Sequence, residues 1–144
     1  MDIKSKSHII PIIIGKEKDA ISFSNYLFKR VFSVNLQKRI SIFWAKDKSK
    51  WNLTKFKKII KNKKVYLTFD VDGLDSSLMP ATGTPEPGGL FWDETIKIIK
   101  IAAQSSHIVG ADINELSPIK GFNSYNFLVA KLAYKILSYK FLYK

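Results

Sequence analysis

The 144-residue chain predicts an α/β fold, a parallel sheet sandwiched by helices. Two observations carry this. Short apolar runs of strand length alternate along the chain with segments of helical periodicity, the sequence sign of parallel α/β architecture. One of those strands, Val65 to Asp70, runs into clustered carboxylates, Asp70, Asp72 and Asp75, and the carboxyl ends of parallel strands are where open α/β sheets bind ligands. An apolar fraction of 46% is enough for the core of one domain, since domains of about 150 residues bury roughly two-thirds of their unfolded surface.

The elements follow in order. Ile9 to Ile14 is a buried strand, and a helix is expected from about Glu17 to Phe32, where Ala20, Phe23, Leu27, Phe28 and Val31 stand near helical spacing. Arg39 to Trp44 is expected as a second strand. Asn52 or Thr54 then caps a short helix through Ile60, and Val65 to Asp70 is the third strand. After Asp72 comes a loop of about twenty residues, long enough in a compact domain to mark a functional element. A helix from about Asp93 to Gln104, a strand from His107 to Asn114 and a last helix from about Ser124 to Tyr143 complete the chain. In that helix Tyr125, Leu128, Val129, Leu132, Ala133, Ile136 and Leu137 make one apolar stripe, expected as core. Trp44 and Trp51 are expected as packing residues rather than a base-stacking platform.

Composition narrows the function. The net charge of +12, from 24 Lys and Arg against 12 Asp and Glu, is mostly lysine. Lysine lacks the bidentate fork favoured in base and phosphate readout, so these charges read as solvated faces and no nucleic-acid partner is expected. There is no cysteine, which excludes disulfides and thiolate metal sites. The run from Ile9 to Ile14 contains Pro11 and is far shorter than the roughly 20 residues a membrane span needs. A cytoplasmic protein without membrane partners is the expectation.

The chemistry concentrates in VYLTFDVDGLDSSLMPATGTPEPGG, Val65 to Gly89. Residues two apart on a strand face one side, so Asp70 and Asp72 point together where the strand gives out, a geometry suited to hard or borderline divalent cations. The glycines Gly83, Gly88 and Gly89 give the following loop permissive backbone, while Pro80, Pro85 and Pro87 stiffen it. A D-x-D-G after an apolar strand also suits a dehalogenase-type phosphatase, but that motif continues with threonine where this chain has Leu74. A calcium-binding EF-hand loop fails on spacing, needing a ligand at Leu74 and glycine at Asp75.

With the loop attached, the stretch resembles the signature of the arginase/agmatinase (ureohydrolase) family, and agmatinases are the nearest look-alike. Ile108 to Pro118, with Glu115 near its end, is similar to a later strand of the same family. The resemblance implies an arginase-like three-layer αβα fold and manganese-assisted hydrolysis of a guanidino group, such as agmatine to putrescine and urea. It implies Asp70 as the ligand bridging two Mn²⁺ ions, Asp72 as a ligand of one, and Glu115 near the guanidinium of a small substrate. Asp75 is expected to fix the loop. Asn114 and Asn126 stand where the family has an apolar residue and an acid.

Other ligands of the family come from G-G-D-H and D-A-H-x-D segments, and neither histidine here, His8 or His107, has such a context. Setting Lys46-Asp47-Lys48-Ser49-Lys50 against the second segment would put lysines on ligand positions. Aligning Ile9 to Gly15 with a later strand avoids that and needs no gap before Val65. The chain therefore reads as a single partial domain, residues 1–144, matching the C-terminal half of a ureohydrolase. It is expected to be inactive alone, and its partners would be a complementary N-terminal half or further copies of itself. The alternative is a non-catalytic remnant or partner subunit that keeps the fold.

Overall fold

The structure is a computed structural model and describes residues 10–14, 41 and 43–143. Three strands, β1 (Ile10–Ile14), β2 (Lys64–Asp70) and β3 (His107–Asn114), form a parallel sheet in that order. The register runs from Ile10 opposite Val65 to Ile14 opposite Phe69, and from Lys64 opposite His107 to Asp70 opposite Asn114. It slips between Val65 and Tyr66, where β3 carries Val109 as an extra residue. Beyond the slip the Tyr66 ring covers Gly110 so closely that a Cβ there would lie 2.7 Å from it.

Three helices follow from local chemistry. Helix α1 (Leu53–Ile60) is capped by Asn52, whose side-chain oxygen accepts the Lys55 N–H at 2.9 Å. Just past its end Asn62 takes a positive φ of 58°, a conformation asparagine tolerates. Helix α2 (Trp92–Ser105) starts where Glu94 reaches back to accept the Phe91 N–H at 2.8 Å. Helix α3 (Asn123–Leu142) is the longest among the described residues.

The three described helices share one core with the sheet. Central strand β2 alternates, with Val65, Leu67 and Phe69 fully buried and Tyr66 exposed on the other side. The buried row joins Phe56 and Ile60 of α1, Ile98, Ile99 and Ala102 of α2, and Val129, Leu132 and Ile136 of α3 in one cluster. Each large side chain so buried contributes about 1.5–3 kcal/mol. The helix expected from Glu17 to Phe32 lies outside the described residues.

Two expectations are corrected. Of the strand expected from Arg39 to Trp44, residues Ser41, Phe43 and Trp44 are described, and none is in a strand; 3-10 turns follow at Ala45–Lys50. The Trp44 carbonyl accepts both the Asp47 N–H at 3.0 Å and the Trp51 indole N–H at 2.8 Å, while the Phe43 ring meets Trp51 and Phe56 edge-on. The segment therefore folds onto α1 instead of joining a ladder. In α3, Leu137 is 54% exposed. At about 100° per residue it turns away from the stripe holding Leu132 and Ile136, and Tyr139 takes its place against the core.

Candidate functional site

Strand β2 delivers two carboxylates to the sheet's carboxyl edge. Asp70 is its last residue, and its Oδ1 accepts the Asp72 N–H at 2.9 Å, closing the 3-10 turn Val71–Gly73. The turn carries Asp72 into the protein, where it is only 5% exposed. Its Oδ1 is in close contact with the Thr82 hydroxyl and its Oδ2 with the Thr84 hydroxyl. Both hydroxyls come from the T-G-T of the loop, Thr82 and Thr84.

The loop that supplies them is held by Asp75. One oxygen of Asp75 accepts the Ser77 N–H at 2.9 Å and the Ser77 hydroxyl at 2.5 Å, and the other accepts the Gly88 N–H at 2.8 Å. The Ser77 hydroxyl, the Ser77 and Gly88 amides and the positive charge of Lys48 hold the Asp75 carboxyl below the usual carboxylate range against a smaller upward push from burial. Backbone bonds from Ser76 N–H to Glu86 O and from Leu90 N–H to Gly73 O close the two ends of the loop. Gly88 has a φ of +83°. Gly89 is required for a different reason: a Cβ there would stand 2.5–2.7 Å from backbone atoms of Leu74 and Asp75.

A second latch was not foreseen in the sequence. Lys48 donates to the Gly89 carbonyl at 2.8 Å and pairs with Glu94 at 3.1 Å, so the 3-10 segment clips the loop's return to the start of α2. The Phe91 amide first, then Lys48, keeps Glu94 below the ordinary glutamate value. A lone lysine among so many carries no sequence signal of this role.

Glu115 follows β3 directly, on the strand neighbouring β2, and takes a φ of +65°. A left-handed glutamate is uncommon and costs of order 1 kcal/mol or more. The surroundings impose it. The Ser117 N–H donates to Ala81 O at 2.9 Å, Thr82 bridges to Leu116, and the Thr82 hydroxyl lies 2.9 Å from Glu115 O. The exposed Glu115 side chain bends over the loop, with Oε2 4.0 Å from where a Cβ on Gly83 would be. Thr82 thus touches both the carboxylate of Asp72 and the main chain of Glu115.

The donor set bears on a metal. Asp70 and Asp72 present oxygens suited to a hard divalent ion, and each oxygen of Asp72 also contacts a threonine hydroxyl. Among the described residues no three His, Cys, Asp or Glu side chains converge on a common point. These residues by themselves do not fit a two-metal centre. His107 begins β3 at the edge opposite Asp70, and His8 lies outside the described residues. Asn126, one turn into α3, has its Oδ1 buried without a hydrogen-bond partner. No helix among the described residues is long and apolar enough to cross a membrane.

Known proteins resemble this chain in sequence and fold. The sequence profile of the arginase family matches residues 27–138. The N(1)-aminopropylagmatine ureohydrolase of Synechocystis sp. is 41% identical over 106 residues, which cover 72% of this chain and 34% of that protein. The agmatinase of Sodalis glossinidius is 48% identical over 66 residues, 46% of this chain and 21% of its own length. The chain therefore matches about a third or less of each of these relatives. The crystal structure of the agmatine ureohydrolase of Thermoplasma volcanium superposes with a TM-score of 0.65 at 24% identity, over 94% of this chain and 43% of that one, and has the same fold.

Proposed function

The chain belongs to the arginase family, and on that premise we propose that it is the C-terminal, carboxylate-bearing portion of an agmatinase-type ureohydrolase. The reaction is hydrolysis of a guanidino group. Water adds at the guanidinium carbon, the carbon–nitrogen bond to the substrate's alkyl chain breaks, and urea leaves with a protonated amine. For agmatine that amine is putrescine. The names of the two relatives support an agmatine-like substrate.

The observation that carries this reading is the span from the Asp72 carboxylate through the Thr82 hydroxyl to the main-chain carbonyl of Glu115, which ties together the ends of neighbouring strands. Glu115 suits a guanidinium: it is exposed, held in place by its backbone, and can accept N–H bonds from a planar cation. Asp70 and Asp72 are assigned to a manganese ligand set that the histidine segments of an N-terminal half would complete. Thr82 and Thr84 orient Asp72 for that role, as outer hydrogen bonds do for metal ligands.

The 144-residue chain assayed alone with excess Mn²⁺ is expected to release no urea from agmatine or N(1)-aminopropylagmatine. Titration calorimetry should find at most one weakly bound Mn²⁺, lost in Asp70→Ala. Co-expression with an agmatinase N-terminal half carrying the histidine segments should restore turnover, and Asp72→Ala should abolish it. Robust turnover by the chain alone, or tight binding of two ions, would overturn the half-site reading.

A further inference from the structure

Beside the neck of the loop lies a cleft that the guanidine chemistry does not use. Its volume is about 270 Å³, the space of roughly nine waters. Leu90 and Ile98, both buried, form its floor, and Trp51 and Leu53 form the wall on the side of the 3-10 segment and α1. Small-molecule sites have this make-up, apolar walls with a few polar groups.

The polar groups are unequal in charge. Glu94 is engaged twice, by Lys48 at 3.1 Å and by the Phe91 N–H at 2.8 Å, and Lys48 is fixed as well by the Gly89 carbonyl at 2.8 Å. Lys97, one turn along α2 from Glu94, also lines the cleft. It is exposed and has no ion-pair partner among the described residues. Two lysines and one carboxylate leave the lining with one positive charge in excess.

We propose that this cleft binds a small organic monocarboxylate with an apolar body, of the size of benzoate. The body lies on Leu90 and Ile98 beside Trp51 and Leu53, where it leaves water, and the carboxylate meets Lys97 at the mouth, where the Ser49 hydroxyl can donate to it as well. Each other class meets an obstacle. A cation finds two lysines and a glutamate already paired, a neutral molecule leaves the excess charge unmatched, and a phosphate gains nothing from apolar walls and finds no arginine fork.

Occupancy acts on the loop. Leu90 closes it, donating its N–H to the Gly73 carbonyl and accepting the Asp75 N–H, and Lys48 holds the neighbouring Gly89. A ligand packed on Leu90 favours the closed neck, so ligand and closure stabilise each other. The site touches none of Asp70, Asp72 and Glu115 and is independent of the ureohydrolase reading.

The test uses the full chain and nitrogen-15 NMR of its three tryptophan indoles, with Trp51 assigned by Trp51→Phe. Benzoate should shift the Trp51 indole saturably with a Kd of order 1–10 mM. At ten times that concentration, hydrogen exchange of the Leu90 amide should slow about 10-fold. Acetate, benzyl alcohol and benzylamine at matched ionic strength should do neither. Lys97→Glu should weaken benzoate at least about 5-fold, and Leu53→Glu, in the first turn of α1 where an acid suits the helix, should abolish its binding. No saturable shift below about 50 mM, equal binding by any of the three controls, or an affinity unchanged in both variants would overturn the site. Binding that leaves Leu90 exchange unchanged would overturn its coupling to the loop.

Discussion

The loop between Asp75 and Leu90 and the helix α3 are ordered by opposite means. In the loop, Asp75 gathers the Ser77 and Gly88 donors, Asp72 contacts Thr82 and Thr84, and Lys48 grips the Gly89 carbonyl. Its order comes from hydrogen bonds, some within the loop and some to Asp72, Lys48 and the main chain of Glu115. Helix α3 is held by apolar packing of Val129, Leu132 and Ile136, with Tyr125, Leu128 and Tyr139 beside them, and other apolar side chains such as Phe127 and Tyr134 face outward. Hydrogen bonding orders a loop through specific partners, whereas apolar packing orders a helix from one side.

The largest separation between the two modes should come from removing core packing. Leu132→Ala, at a fully buried site, should cost about 3–4 kcal/mol in urea unfolding; a loss below about 1 kcal/mol would mean that α3 is not anchored by this stripe. Gly89→Ala should cost about 2–3 kcal/mol, because the new methyl group meets backbone rather than a movable side chain. Near wild-type stability in that variant would show that the loop yields and is not closed by its backbone bonds.

Asp75→Asn sharpens the contrast through pH. The folded carboxyl titrates below the ordinary value of 3.8, so its stabilisation is complete above that value and is lost as the pH falls through the lowered one. Thermal unfolding should show a constant gap between wild type and variant above about pH 5, closing as the pH falls below about 4. A gap that widens in acid would reverse the assignment. The smallest effect belongs to Leu137→Ala, expected within about 0.5 kcal/mol. A cost comparable to that of Leu132→Ala would place Leu137 inside the fold.

Most of the site was legible where chemistry is local. Asp70 ends its strand as expected, Asp75 holds the loop, and Glu115 follows the neighbouring strand, whereas Asp72 lies in a 3-10 turn beyond the strand and so outside the reach of a period-two reading. The roles of Thr82 and Thr84 were not legible, since their contacts with Asp72 span 10 and 12 residues. Lys48 was not, because its partners stand 41 and 46 residues away. Ser41 to Trp44 failed for a related reason: an apolar run does not announce whether its carbonyls will meet a strand or an indole.

The sequence by itself determined the alternation of strands and helices, the carboxylate cluster and its glycine-proline loop, because each rests on residues adjacent along the chain and on fixed periods of two and 3.6. Only the tertiary structure decided which side of α3 is core, why Gly89 must lack a side chain and why Glu115 is left-handed. Those outcomes depend on contacts between distant segments, on Leu74 beside Gly89 and on Ala81 and Thr82 beside Glu115 to Ser117, and no local pattern encodes which distant surfaces will meet.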